Sequence, residues 1–220
     1  MANLEPLIQS IPVAPLKLAS LEGCRTLADQ VNNYLVSFRH ESPTNVGQAD
    51  SLQGYCADSY LLECECPRFG SGEGKGVLKE SVRGCDLFIM VDVTNYSLTY
   101  RVNGYENHMS PDNHYQDLKR IISAADGKAR RINVIMPFLY EGRQHKRSKR
   151  ESLDCALMLQ ELVDMGVSNI LTFDAHDPRV SNSIPLHGFD SFMPTYQFLK
   201  ALVNSVPDFV IDNDHLMIIR

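Results

Sequence analysis

The predicted fold follows from DLFIMVDV (Asp86–Val93) and RINVIMPF (Arg131–Phe138), two apolar runs in the middle of the chain. Two further runs are NILTFD (Asn169–Asp174) and HLMIIR (His215–Arg220). Runs of this kind are continuous rather than alternating, which is typical of strands buried on both faces of a parallel sheet. The segments between them have helical periodicity. We therefore predict an α/β protein with a doubly wound, mostly parallel sheet and helices on both faces.

The helices and loops around these strands follow from periodicity and turn-forming residues. Apolar residues recur at intervals of three and four in Leu21–Phe38, His114–Asp126, Ser152–Gly166 and Pro194–Ser205. Gly166 is expected to end the third helix and Pro194 to open the fourth. Three other segments have different predictions: a surface loop at Glu41–Gly54, a strand at Ser59–Phe69 and a glycine-rich turn at Phe69–Gly76.

Composition limits the class of protein. The chain has 220 residues, 44% hydrophobic residues and a net charge of −6, which suits a soluble globule and disfavours nucleic acid as a general partner. No apolar run approaches the roughly 20 residues of a membrane helix, and no signal peptide is recognisable at the start. We expect a cytoplasmic protein. Its six scattered cysteines, including the close pair Cys64 and Cys66, are then structural thiols.

Two polar loops follow neighbouring apolar runs. The loop after RINVIMPF contains Gln144, His145 and five cations, which are Arg143, Lys146, Arg147, Lys149 and Arg150. The loop after NILTF is DAHDPR and contains Asp174, His176 and Asp177. Because ligands of open α/β sheets bind outside the carboxyl ends of the strands, we predict that both loops lie on one binding rim.

Cations beside carboxylate and imidazole groups suit a polyphosphate with bound magnesium, so a nucleoside triphosphate is the predicted ligand. Two other interpretations stay open at this point. The charge run can be a solvated surface or an RNA-contacting patch, although no aromatic stacking platform accompanies the cations. His176 can equally be a hydrogen-bonded histidine at a strand end.

Four stretches resemble ribose-phosphate pyrophosphokinases, the phosphoribosyl pyrophosphate synthetase family, in the same order along the chain. The first is RFGSGEGKGVLKESVRGCDLFIM, which is similar to the family's Phe-Ser-Asp-Gly-Glu segment and the Glu-Ser-Val-Arg-Gly that follows. The second is MSPDNHYQDLKRIISAA, which resembles the Asn-Asp-Asn helix. The third and fourth are VIMPFLYEGRQHKR and LTFDAHDPRV, which resemble the Pro-Tyr-x-x-Tyr-Ala-Arg-Gln-Asp-Arg-Lys loop and the Thr-Met-Asp-Leu-His-Ala strand end. The resemblance covers most of Cys64 to Leu202.

The resemblance implies a phosphoribosyltransferase-like fold and an activity. The family transfers the diphosphoryl group of ATP to ribose 5-phosphate, with Mg²⁺, as an oligomer. It implies that the basic loop contacts ATP through Arg143, Gln144, His145 and Lys146, and that Asp174, His176 and Asp190 hold the metal. It also implies that Phe69 and Glu73 contact the adenine of a neighbouring subunit's ATP.

The chain departs from the family pattern at several positions. Ser71, His145 and Ser148 stand where the family has acidic residues, and a further family aspartate falls near Ser183. The family's second domain, which holds the ribose site and the mobile catalytic Lys and Arg, has no counterpart in the sequence, so we expect no catalytic residue in this chain. A non-catalytic regulatory relative is the alternative.

The resemblance also sets the expected domain boundaries. Residues 1–60 are interpreted as an N-terminal extension, with a helix and a polar loop, that packs on the main domain. Residues 61–210 form the ATP-binding domain. Residues 211–220 are interpreted as the start of a missing second domain, because HLMIIR is similar to the first strand of that domain.

Overall fold

The computed structural model describes residues 12–41 and 54–206. In chain order its strands are β1 Leu16–Ser20, β2 Leu61–Leu62, β3 Cys64–Glu65, β4 Val77–Leu78, β5 Asp86–Met90, β6 Thr99–Val102, β7 Tyr105–His108, β8 Arg131–Ile135, β9 Val167–Phe173 and β10 Gly188–Phe192. The α-helices are α1 Arg25–Glu41, α2 Pro111–Ala125, α3 Asp154–Asp164 and α4 Thr195–Ser205. Two short 3₁₀ helices cover Glu22–Cys24 and Pro178–Ser183.

Six of the strands form one sheet in the order β10-β9-β8-β5-β1-β2, and every neighbouring pair is parallel. The predicted parallel sheet is therefore confirmed. The chain moves from β1 outward to β2 and then returns to β5 on the other side. The strand order thus reverses between β1 and β5, where doubly wound sheets form a crevice at the carboxyl ends.

The helices cover both faces because side chains of a strand alternate in direction. On β5, Leu87 and Ile89 belong to the larger core cluster, which includes Leu118 of α2 and Leu159 of α3. Met90 and Phe88 point the other way and pack with Ala28 of α1. Because the residues on both faces of β5 are apolar, DLFIM is a continuous apolar run, and this strand could be predicted from the sequence.

The helix ends agree with the local sequence to within a few residues. Ser110 caps α2 by accepting a hydrogen bond from the Asn113 amide at 3.3 Å, and Pro111 occupies its first turn. Gly166 follows α3 with a φ of +92°, a conformation that favours glycine, and so ends the helix as predicted. Within the described residues, no helix is long and apolar enough to cross a membrane.

The N-terminal part of the chain differs from the expected extension. β1 lies between β2 and β5, and it pairs with β5 along its whole length from Leu16 to Ser20. Its sequence, LKLAS, has only two large apolar residues, so it lacks the long run that marked the other strands. Within the described part of residues 1–60, β1 is therefore a strand of the sheet itself, whereas α1 packs against the sheet.

The remaining segments differ in how the structure compares with the sequence. The single strand expected at Ser59–Phe69 is wrong, because β2 joins the main sheet while β3 pairs with β4 in a separate two-stranded sheet. The hairpin β6–β7 was not predicted. Its Asn103-Gly104 turn, with φ values of 51° and 85°, is nevertheless a strong hairpin signal. Most of the loop Glu41–Gly54 and the run His215–Arg220 lie outside the described residues.

Candidate functional site

Both predicted loops leave the carboxyl ends of adjacent strands. The basic loop follows β8, and the DAHDPR loop follows β9, its neighbour in the sheet. The Met136 amide donates to the Leu171 carbonyl at 2.9 Å and the Phe173 amide to the Pro137 carbonyl at 3.3 Å, so the two chain segments leave the sheet side by side. The two loops therefore share one rim.

The basic loop is shaped by hydrogen bonds of its uncharged residues. The Gln144 side-chain amide donates to the Ser152 carbonyl at 2.7 Å, and the Cys155 backbone amide donates to the Gln144 carbonyl at 3.4 Å. The Arg143, Lys146, Arg147, Lys149 and Arg150 side chains are exposed, and none of them forms an ion pair with the described residues. The loop thus presents its positive charge to solvent.

His145 joins the two loops. Its Nε2 lies 3.5 Å from Asp177 Oδ2, and its ring meets the His176 ring edge-on with 5.1 Å between centroids. Asp177 also accepts hydrogen bonds from the Arg179 side chain, which hold the pKa of that carboxyl well below its usual range. Asp177 is therefore ionised and fixed beside His145, a contact that the sequence reasoning did not anticipate.

Carboxylates also surround the start of the basic loop. The Tyr140 hydroxyl donates to Asp112 of α2 at 2.6 Å, and the Tyr140 ring stacks on Tyr115 at 4.5 Å. Burial and the neighbouring Asp154 and Asp112 charges raise the pKa of Glu141. Sequence reasoning missed this group because Asp112 lies on a different element, and only the packing of α2 brings it to the loop.

The three predicted metal ligands do not lie together. Asp174, with a φ of 45°, and His176 are exposed on the loop after β9. Asp190 lies within β10 opposite Leu171, below the rim that begins after Phe173. Within the described residues no group of three His, Cys, Asp or Glu side chains could hold a metal ion. Asp174 and His176 are a carboxylate and an imidazole exposed on one loop, whereas Asp190 lies within the strand register.

The predicted adenine-binding residues lie on a separate tight turn between β3 and β4. The Phe69 amide donates to the Glu73 carbonyl at 2.7 Å, and the Gly72 amide donates to the Phe69 carbonyl at 2.9 Å. Phe69 is 54% exposed, and Glu73 is exposed with its carboxylate accepting a 2.8 Å hydrogen bond from Ser71. In the described part of the chain, no hydrogen bond or ion pair joins this turn to the basic loop.

The cysteines next to the turn are structural. The Cys64 thiol donates to the Ser20 carbonyl at 3.2 Å and the Cys66 thiol to the Asp117 carbonyl at 3.7 Å. Burial raises the pKa of Cys64 to about 11 and that of Cys66 to about 12. Both thiols are therefore protonated at neutral pH and are poor nucleophiles. Neither joins the candidate site.

Comparison with known proteins defines first the class and then the family. The fold is an α/β, phosphoribosyltransferase-like fold. It matches the crystal structure of phosphoribosylpyrophosphate synthetase from Mycobacterium smegmatis with a TM-score of 0.64 and 22% identity, over 86% of this chain and 52% of that chain. Residues 16–166 match the family model of the N-terminal domain of ribose phosphate pyrophosphokinase, so the chain belongs to that family.

Curated relatives bear the same family name. A ribose-phosphate pyrophosphokinase of Corynebacterium ammoniagenes is 29% identical over 167 residues, which are 75% of this chain and 41% of that protein. One of Bacillus caldolyticus is 30% identical over 122 residues, 54% of this chain and 34% of that protein. The chain thus spans about two fifths or less of the length of these relatives.

Proposed function

We propose that this chain is the ATP-binding part of a ribose-phosphate pyrophosphokinase, a transferase of nucleotide biosynthesis. The observation that carries the proposal is the cation-rich loop after β8. Its five charges have no ionic partner among the described residues, and the His145 ring contacts the His176 ring of the neighbouring loop. Unpaired cations at the carboxyl rim of a parallel sheet suit a triphosphate. Family membership narrows this ligand to ATP.

The proposed roles follow the geometry of the rim. Arg143 and Lys146 bind phosphate oxygens directly, since their side chains are exposed and unpaired. Gln144 and His145 shape the loop. Both ring nitrogens of His145 have partners, the Arg143 carbonyl and Asp177, whereas Gln144 keeps its side-chain oxygen for the ligand. Magnesium, held largely by phosphate and water oxygens, would be contacted by Asp174 and His176, and when bound it neutralises phosphate charge. Asp190 was predicted as a third ligand, but its place within β10 makes it the weakest of the three.

Phe69 and Glu73 are proposed to bind adenine of ATP held by a second copy of the chain. In this proposal the protein is a homo-oligomer, because no hydrogen bond or ion pair joins the turn to the basic loop of its own chain among the described residues. The six unpaired cysteines agree with a reducing, cytoplasmic setting.

The second substrate, ribose 5-phosphate, is expected to bind outside this chain. Its transfer reaction requires that the ribose hydroxyl be aligned with the β-phosphorus of ATP, and alignment contributes roughly 7–11 kcal/mol in favourable cases. We therefore expect the chain alone to release no phosphoribosyl pyrophosphate from ATP and ribose 5-phosphate. Robust turnover by the chain alone would contradict this placement of the ribose site.

A non-catalytic regulatory relative is the second candidate, favoured by the residues at family acidic positions. Ser71 now donates to Glu73, and His145 pairs with Asp177 instead of supplying a carboxylate. An assay of phosphoribosyl pyrophosphate formation from ATP and ribose 5-phosphate separates the two candidates. It uses a protein that joins this domain to the second domain of a ribose-phosphate pyrophosphokinase, and only the enzyme would form the product.

Calorimetric titration with Mg-ATP tests the site. Each charge-assisted phosphate contact contributes about 1.5–3 kcal/mol, so Arg143→Ala should weaken binding by about tenfold or more, and His176→Ala should also weaken it. Arg83→Ala is the matched control, since Arg83 is exposed just before the amino end of β5, at the opposite edge of the sheet. Unchanged affinity in both site variants would refute the assignment.

A further inference from the structure

A buried ion triad lies under the turn that carries Phe69 and Glu73. Its centre is Asp117 of α2, a residue only 4% exposed. Both oxygens of the Asp117 carboxylate accept hydrogen bonds from the Arg68 guanidinium, each at 2.7 Å, and Arg120 donates to Oδ1 at 2.6 Å. Arg68 is the residue directly before Phe69, so the paired guanidinium fixes the start of the turn to α2.

The far end of the turn is fixed to the same helix by close packing. A side chain at Gly74 would place its Cβ 2.2 Å from Arg68 Nη1, and one at Gly76 would place its Cβ 2.3 Å from the Arg120 carbonyl oxygen. Gly76 is therefore required by the helix backbone beside it, whereas a side chain at Gly74 would displace the Arg68 guanidinium from the triad. Both ends of the turn therefore contact α2.

The hairpin β6–β7 covers the other side of the turn. Gly72 has a φ of +90°, and its added Cβ would lie 2.8 Å from Val102 Cγ2. The Arg68 guanidinium also lies over the Tyr100 ring, 5.2 Å from its centroid. The turn is thus held between α2 and β6–β7, while the Phe69 ring and the Glu73 carboxylate face outward.

A turn with four glycines between residues 70 and 76 would be flexible in isolation, because glycine has the largest backbone freedom. Ordering such a segment when a ligand binds weakens the affinity, whereas a turn that is already ordered avoids this loss. A buried ion pair is a poor source of stability but a directional one, since bidentate guanidinium–carboxylate geometry is specific. The triad therefore suits orientation better than it suits stabilisation.

We propose that Asp117 is a positioning residue that orients the Phe69–Glu73 turn, through Arg68, for contact with a nucleotide bound to a second copy of the chain. The proposal rests on the proposed function and adds a residue to its site. Asp117 itself is buried below the turn and touches no ligand. Its effect on binding is transmitted by Arg68 and by the packing of Gly74 and Gly76.

The test compares Asp117→Asn with Glu65→Gln in Mg-ATP titrations of the whole 220-residue chain. Glu65 forms a 2.6 Å ion pair with Lys79 on the same small sheet, but both side chains are 40–45% exposed. We expect Asp117→Asn to weaken Mg-ATP binding about tenfold and Glu65→Gln by less than about twofold, because only the first disorders the turn. Equal affinity of Asp117→Asn and the unchanged chain would overturn the proposal.

Mixed oligomers separate positioning from a general loss of structure. Asp117→Asn keeps an intact basic loop, and Arg143→Ala keeps an intact turn. Co-expression of the two variants should restore tight binding at about one site in four, since each site draws its loop and its turn from different copies. A mixture that binds no more nucleotide than the separate variants would overturn the proposal.

Two controls make the outcome unambiguous. Circular dichroism and light scattering should match those of the unchanged chain, and if Asp117→Asn fails this check, Arg68→Lys, which keeps the charge but loses the bidentate contact, replaces it in both experiments. If the unchanged chain does not bind Mg-ATP, the proposed function itself fails. If the unchanged chain binds and the variants bind equally well, only the role of Asp117 fails.

Discussion

The basic loop and the Phe69–Glu73 turn are proposed to contact the same nucleotide, but they are held in opposite ways. The loop's cations are exposed and have no ion pair among the described residues, whereas the turn rests on a buried carboxylate with two guanidinium partners. The loop contains one glycine at its start, Gly142, and the turn is glycine-rich. The cationic side chains of the basic loop are therefore unpaired, whereas the backbone of the turn is held in place by its packing.

This difference matches what each region would recognise. Charge attraction between a guanidinium and a phosphate acts over several ångströms and tolerates side-chain adjustment. Stacking and hydrogen bonding to a planar base depend on orientation, so the groups that make them gain from a fixed backbone. The sequence makes both regions look like polar loops, and only the packing beneath them separates the two types.

The largest expected effect is on stability, at the centre of the triad. Asp117→Ala leaves the partly buried guanidinium groups of Arg68 and Arg120 without their shared carboxylate, so the free energy of unfolding should fall by about 3 kcal/mol in urea denaturation. Glu65→Gln, which breaks an exposed ion pair nearby, should change it by about 0–1 kcal/mol. If the two variants were equally stable, the turn would not depend on the triad.

An intermediate effect is expected from the glycine packing. Gly76→Ala would force its methyl group against the Arg120 carbonyl, so the free energy of unfolding should drop by about 1–3 kcal/mol. Gly70 is the matched control in the same turn, because no atom lies within 4 Å of an added Cβ. Gly70→Ala should stay within about 0.5 kcal/mol of the unchanged chain. The reverse order would show that the turn is not packed on α2.

The smallest effect is expected in the basic loop. Lys146→Ala and Arg147→Ala remove exposed charges without an ionic partner among the described residues, so each should change the free energy of unfolding by less than about 0.5 kcal/mol. Their effect should appear instead as weaker Mg-ATP binding at low salt. A marked loss of stability in either variant would mean that the loop is fastened by its cations, which would remove the contrast with the turn.

The parts of the fold that sequence reasoning predicted are those with a local signal. The strands β5, β8 and β9 are apolar on both faces, and the helices α1 to α4 have clear periodicity and end signals. β1 and β10 were not predicted, because LKLAS and GFDSF contain small or polar residues and acquire their strand character from pairing with β5 and β9. Propensity is overridden there by the neighbouring strand.

The candidate site shows the same division. The rim position of the basic loop and of His176 followed from strand order, since carboxyl ends of parallel strands meet at one edge. The contact between His145 and Asp177, and the carboxylates at the start of the basic loop, depend on side-chain directions that no spacing reveals. Asp190 was chosen as a metal ligand from resemblance alone, and the strand register places it within the sheet, opposite Leu171, rather than on the loop that carries Asp174.

The sequence by itself determined the parallel α/β sheet, the family and the charge of the loop after β8, because hydrophobic period, motif order and side-chain charge are local properties of a chain. Only the tertiary structure decided that β1 is an inner strand and that Asp117, which is 49 residues from Arg68 in the sequence, lies beneath the turn of Phe69 and Glu73. A buried ion triad forms only when separate elements pack and exclude water, and this long-range condition leaves no local mark in the sequence.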